Sequence, residues 1–284
     1  MQLHNIGTAI LSITSPGTTV LEGDSKAASV LSRHINKSAA SLCAERPTTF
    51  GFFATLPPLV SDHLDVVLGE VAFAFDELNA DGVTLFTRYG QHYLGHLGFR
   101  PLWDELDRRG AVVFIHPTHS LSHDMVNPAL PQPVIDYPHE TTRTAVDLIV
   151  SNTIKDHPNV KIILSHAGGT LPFLATRAAH LSADAGFSSV QPDDFLEQAR
   201  SFYFDLALSS NPLTLDLLRE FAKPDHILYG SDFPYAPTST IEKHVRMLDD
   251  YRKMDGASDY SVARGAAVRL FPRFDNPTNK IPTA

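Results

Sequence analysis

The stretch from Val160 to Pro172 restricts the fold of this chain more than any other. Val160-Lys161-Ile162-Ile163-Leu164 is a β-branched and apolar run that stops at Ser165-His166, and Ala167-Gly168-Gly169-Thr170-Leu171-Pro172 then opens a helix. A run that is apolar on both faces predicts a strand buried in a parallel sheet rather than one with a solvated side. His166 therefore stands where such a strand runs out, the end at which parallel α/β proteins gather their reactive groups. The pattern recurs twice. Ala111-Val112-Val113-Phe114-Ile115 ends in His116-Pro117, and His226-Ile227-Leu228-Tyr229-Gly230-Ser231 ends in Asp232-Phe233-Pro234. Three strands thus deliver His116, His166 and Asp232 to one rim.

Four further strands are expected: Thr8–Ile13, Thr48–Ala54, Gly82–Phe86 and Ser201–Asp205. Helices are expected from an Asp24 N-cap to about Ala44, from Asp62 to Leu78, from Phe99 to Arg109, from Glu140 to Lys155, from Gly169 to Ser182, near Pro212–Phe221, and twice between Thr238 and Leu270. Thr118 to His139 reads as a long loop, and 272–284 as a polar tail. Strands alternate with helices without a linker, so 1–284 is expected to be one domain, either a (β/α) barrel or a doubly wound sheet. No GxGxxG or P-loop lysine motif is present, which removes the usual reason to prefer the doubly wound sheet. The count of seven strands is one short of a closed barrel.

Charge narrows the partners. With 23 basic against 32 acidic residues the net charge is −9, which argues against a nucleic-acid or anionic-membrane surface. No apolar run approaches the roughly 18 residues of a membrane span. The single cysteine, Cys43, excludes an intramolecular disulfide, fits a reducing, cytoplasmic setting, and is expected to be a buried structural thiol.

The 14 histidines make a metal site worth seeking. Imidazole and carboxylate are ligands for zinc or another divalent transition metal, and equally donors and acceptors of protons. His119 and His123 are placed as loop residues near the pocket mouth, because Pro117 prevents a helix from starting at His116. His92 and His96 are expected merely to decorate a loop. Gly168-Gly169 allows a close backbone approach and exposes helix amides to an anion, or makes only a tight strand-to-helix turn. Arg88 and Arg143 could each grip a substrate carboxylate, though either is more often structural.

These motifs carry a family resemblance. Ile115-His116-Pro117, Leu164-Ser165-His166-Ala167-Gly168-Gly169 and Tyr229-Gly230-Ser231-Asp232-Phe233-Pro234 resemble, in order and spacing, the strand-end motifs of the amidohydrolase-related decarboxylases. That is the group of aminocarboxymuconate-semialdehyde and hydroxybenzoate decarboxylases. Phe50–Pro57, Gly82–Leu85 and Leu270–Arg273 extend the match over nearly the whole chain, and within the group it is most similar to the fungal 6-methylsalicylate decarboxylases. The resemblance implies an α/β fold of the (β/α)₈ TIM-barrel type, one divalent metal ion (zinc, or manganese) and a homodimer. It implies that His116 and Asp232 are metal ligands, with His166 at the edge of that set and acting with Asp232 in proton transfer. One departure is plain. The family's first strand carries a His-x-His or Glu-x-His pair, whereas the only histidine before His34 is His4, and Met1 aligns after that strand. The expectation is a barrel lacking its first strand, in either a shortened chain or a form with an altered metal site.

The resemblance further implies nonoxidative decarboxylation of an ortho-hydroxylated aromatic acid such as 6-methylsalicylate. The metal would chelate the carboxylate and its neighbouring hydroxyl, and Asp232, or His166 through it, would protonate the ring carbon. Arg88, Phe53, Tyr89 and Phe233 are the expected substrate contacts, with Phe52 and Phe86 also near strand ends. Two other readings stay open: hydrolysis of a lactone or amide by metal-bound hydroxide, or a catalytically inactive partner that dimerises with or regulates an intact paralogue.

Overall fold

All seven strands read from the sequence exist and lie side by side. The computed structural model describes residues 1–60, 64–122, 124–254 and 261–275. In chain order it runs β1 (Ala9–Leu11), α1 (Ser25–Glu45), β2 (Phe50–Thr55), α2 (Leu64–Asp76), β3 (Gly82–Phe86), and a hairpin of β4 (Arg88–Tyr89) and β5 (His92–Tyr93). It continues with α3 (Arg100–Arg108), β6 (Val112–His116), α4 (Asp136–Val150), α5 (Thr153–Asp156), β7 (Lys161–Leu164), α6 (Leu171–Asp184), α7 (Pro192–Ser201) and β8 (Tyr203–Asp205). It ends with α8 (Pro212–Phe221), β9 (Ile227–Leu228), α9 (Thr238–Met254) and α10 (Ala266–Leu270). The sheet order is β1-β2-β3-β6-β7-β8-β9, and every neighbouring pair is parallel. Asp62, expected to begin the second helix, and His123 lie outside the described residues.

The sheet is curled, and its two faces show why. Alternate side chains point outward to a helical layer, among them Val83, Leu85, Val113, Ile115, Ile162 and Leu164. The others face inward, where Ile10 of β1, Phe53 of β2, Val112 and Phe114 of β6, Ile163 of β7, Tyr203 of β8 and Leu228 of β9 join one cluster. Only a sheet wrapped around its own axis brings side chains of β1 and β9, its two edges, into a single cluster. The cluster is completed by Ala266 and Leu270 of α10 with Phe271 and Phe274. The start of the expected polar tail is therefore core: Phe274 is buried, and Arg273 pairs with Asp81 through its Nε (2.5 Å) and Nη2 (2.6 Å). This is a TIM-like α/β half-barrel of seven strands with α10 packed against its inner face.

Local chemistry fixes several helix boundaries. Asp24 caps α1 by accepting from the Ala27 amide at 2.9 Å, a contact that stabilises a helix by about 1 kcal/mol. The single helix expected from Glu140 to Lys155 is two, because Asn152 sits at a φ of 62° between α4 and α5. Helix α7 was not anticipated. Cys43, expected to be buried, is half-buried on α1. Among the described residues no helix is long and apolar enough to cross a membrane.

Candidate active site

His116 is the last residue of β6, in register with Phe86 of β3. Its Nδ1 lies 2.7 Å from the Pro117 carbonyl and its Nε2 3.2 Å from Thr14 Oγ1. A carbonyl only accepts, so Nδ1 carries the proton and Nε2 takes the hydroxyl proton of Thr14. Burial lowers its imidazole pKa to about 4, with the His166 charge pushing the same way and the Pro117 contact opposing. His116 is a neutral base or ligand at neutral pH.

His166 follows β7 at a φ of 54°, and Ala167, Gly168 and Gly169 continue at 58°, 72° and 63°. A run of left-handed residues turns the chain abruptly from strand to helix, and glycine is needed where it passes closest to α4. A Cβ on Gly169 would lie 2.7 Å from Thr142 Oγ1 and closer still to the Pro138 carbonyl oxygen. The amides of this turn are already used: Gly168 donates to the Ser165 carbonyl, Gly169 to the His166 carbonyl and Thr170 to Thr142 Oγ1. Of the two readings of the glycine pair, these bonds support the tight turn rather than the anion site. The ring Nδ1 of His166 lies 3.1 Å from the Ala207 carbonyl, so Nδ1 carries a proton and Nε2 takes no part in this contact.

Asp232 stands past β9 at a φ of 58°. Burial raises its carboxyl pKa, the Asp205 charge adds to the rise, and His166 opposes it. The protonated, proton-donating form is thereby favoured beyond that of an ordinary aspartate. Asp205 itself was not anticipated as a site residue. It ends β8, is buried, and accepts from the His166 amide (3.2 Å) and the Ala207 amide (2.8 Å). Its signal in the sequence is the same as that of its neighbours, an acidic residue closing an apolar strand.

The expected substrate contacts separate. Arg88 donates to the carbonyls of His119 (2.7 Å), Gly90 (2.6 Å) and Ser120 (2.8 Å), so it ties down the long loop instead of reaching for a carboxylate. Arg143 is exposed, 3.8 Å from Glu140. The Phe53 ring packs on Phe114 and Phe271 with centroids 5.8 and 5.9 Å apart, deep in the inner cluster. Tyr89 is buried and its hydroxyl accepts from the Phe86 amide. Phe233 is 74% exposed on the rim. His119 is held by Gln132 (2.7 Å) and lies edge-on to Tyr137, which in turn lies edge-on to His116. His92 is in β5 rather than a plain loop, and its ring stacks on His96 at 3.8 Å.

A divalent ion is implied by the resemblance, and the donors can be tested against it. His116 and His166 both have Nδ1–H fixed by a carbonyl, the arrangement found in metal-ligating histidines that bind through Nε2. Even so, among the described residues no three His, Cys, Asp or Glu side chains converge closely enough to hold an ion. His116 Nε2 is also engaged by Thr14. The described residues do not by themselves make a complete metal site.

The amidohydrolase family model matches residues 6–273, almost the whole chain. The chain belongs to the amidohydrolase family. Among curated relatives, decarboxylase yanB of Aspergillus niger is 57% identical, matching 98% of this chain and 78% of its own length. The 6-methylsalicylic acid decarboxylase of Penicillium expansum is 48% identical over 97% of this chain and 85% of its own. Among solved structures, a dihydroxybenzoic acid decarboxylase from a Polaromonas species, with bound manganese, superposes with a TM-score of 0.81 at 23% identity, covering 99% of this chain and 86% of that one. That likeness shows the fold; the curated relatives of this amidohydrolase are named as decarboxylases.

Proposed function

We propose that this chain is a nonoxidative decarboxylase of an ortho-hydroxylated aromatic carboxylic acid, with 6-methylsalicylate as the first candidate substrate. The observation that carries the reading is Asp232, a carboxyl just past β9 whose pKa burial and the Asp205 charge push upward, toward a proton donor, while His166 opposes the rise. The naming of the relatives as decarboxylases supports the same chemistry.

In this reading Asp232 gives its proton to the ring carbon that bears the carboxylate. The ring loses aromaticity, the carbon–carbon bond to the carboxylate breaks, and its electron pair returns to the ring as CO₂ departs. Ring protonation is the difficult step, so an acid held against one carbon supplies much of the catalysis. His166 returns the proton to Asp232 between turnovers. Phe53, Tyr89, Phe233 and Arg88 shape the inner end and rim of the pocket rather than reacting. As cofactor we propose one divalent ion, zinc or manganese; His116, His166 and Asp232 are the residues that would hold it, and further donors would be needed beyond those the described residues bring together. We propose a homodimer with no nucleic-acid or membrane partner. Asp232→Asn keeps the shape of the site and removes the acid. CO₂ release should fall to background while the melting temperature holds, and retained turnover sinks the assignment. The incomplete donor set favours a second reading, an inactive partner protein, and the same assay on the unmodified chain decides between them.

A further inference from the structure

Asp205 takes part in a closed ring of three hydrogen bonds. Its Oδ1 accepts from the main-chain amide of His166 at 3.2 Å and from that of Ala207 at 2.8 Å, and the Ala207 carbonyl accepts from His166 Nδ1 at 3.1 Å. One carboxylate oxygen therefore fixes His166 at both ends, its backbone directly and its ring through Ala207. The carboxylate is itself confined. Asp205 is 9% exposed, and the chain of the next strand passes so close that a Cβ on Gly230 would lie 3.0 Å from both Asp205 Cγ and Oδ1. The left-handed backbone at His166, with a φ of 54°, puts this amide where Asp205 can reach it.

We infer that Asp205 is the positioning residue of this site: it fixes the backbone and ring of His166 so that the neutral ring keeps the single tautomer with its proton on Nδ1. A backbone carbonyl sets a histidine tautomer only while that carbonyl stays in place, and Asp205 is what keeps the Ala207 peptide there. The inference rests on the decarboxylase reading only for the kinetic part of its test.

Two variants separate the ring from other effects. Asp205→Ala removes the shared acceptor; Asp205→Asn keeps an oxygen of the same shape able to accept both amides. Side-chain ¹H–¹⁵N correlation spectra of the full chain in mildly alkaline buffer, with His166→Gln for assignment, report the tautomer without any turnover. Wild type and Asp205→Asn should each show a single His166 Nδ1–H form, and Asp205→Ala a mixture with Nε2–H. On 6-methylsalicylate, Asp205→Ala should lower kcat on the order of 10–100-fold, the usual cost of losing an outer hydrogen-bond partner, with KM within about twofold, and Asp205→Asn should restore most of it. If Asp205→Ala does not fold, Asp205→Asn carries the test alone: a mixed tautomer in this variant overturns the inference. So does an unchanged His166 spectrum in a folded Asp205→Ala. A wild type inert on ortho-hydroxy acids would refute the decarboxylase reading and leave the spectroscopic result standing.

Discussion

Replacing Gly169 by alanine tests the turn that aims His166. Two costs add at this position. The backbone φ of 63° with a ψ of −121° is a conformation that residues with a Cβ rarely adopt, at a cost of at least about 1–2 kcal/mol. The new methyl also meets Thr142 Oγ1 at 2.7 Å and the Pro138 carbonyl closer still, so main chain of α4 must move, an overpacking cost of about 1–3 kcal/mol. Together they amount to about 2–5 kcal/mol. For a chain of this size an unfolding entropy of roughly 2 cal/mol/K per residue converts that loss into a drop of about 3–8 °C in melting temperature. Gly186→Ala is the control for a positive φ without a clash, since its φ is 71° and nothing lies within 4 Å of its Cβ. Differential scanning calorimetry of the three proteins should place Gly169→Ala well below Gly186→Ala, and Gly186→Ala slightly below wild type. Decarboxylation should fall further in Gly169→Ala than in Gly186→Ala, because His166 moves with the turn. Equal melting temperatures for the two variants would refute the close approach of α4 on which the geometry of His166 depends.

Two other outcomes follow from the site. His116 has its pKa lowered from 6.5 to about 4 by burial, so the folded state resists the proton that the unfolded state accepts. Stability from this group is intact above about pH 6.5 and is lost as pH falls toward 4, by at most about 3 kcal/mol. Melting temperature against pH for wild type minus His116→Gln should show this difference growing across that window, and parallel curves would contradict it. Zinc or manganese at millimolar concentration should raise the melting temperature by the linkage of binding to folding, and the rise should vanish in His116→Ala; no rise in wild type would remove the ion from the account.

Much of this architecture was legible in the sequence because buried parallel strands announce themselves. Gly82–Phe86 and the runs ending at His116 and Leu164 are largely apolar on both faces, and the structure puts each in the sheet, with His116 closing β6 and Ser165-His166 following β7. That the main sheet of the described residues would have seven strands was legible in the same way. What could not be read depends on contacts between distant segments. Helix α7 is mostly polar, with Asp193, Asp194, Glu197 and Gln198 around two buried residues, Phe195 and Ala199, so its periodicity is weak. Strands β4 and β5 have two residues each, too few for any period. Phe274 looks like the start of a tail until the curled sheet supplies an inner face for it. Asp205 ends a three-residue strand, and its meaning arises only when β7 and β8 bring the His166 and Ala207 amides to one oxygen. Arg88 resembles a substrate anchor in sequence because the three carbonyls that occupy it lie on two separate loops.

The most direct test of the account is to incubate the purified 284-residue chain with 6-methylsalicylate, with and without added manganese or zinc, and to measure CO₂ and the phenolic product together. The account predicts equimolar CO₂ and 3-methylphenol, formed by the unmodified chain and absent with Asp232→Asn. Intact 6-methylsalicylate and other ortho-hydroxybenzoates after incubation with a folded, metal-supplied chain would contradict it.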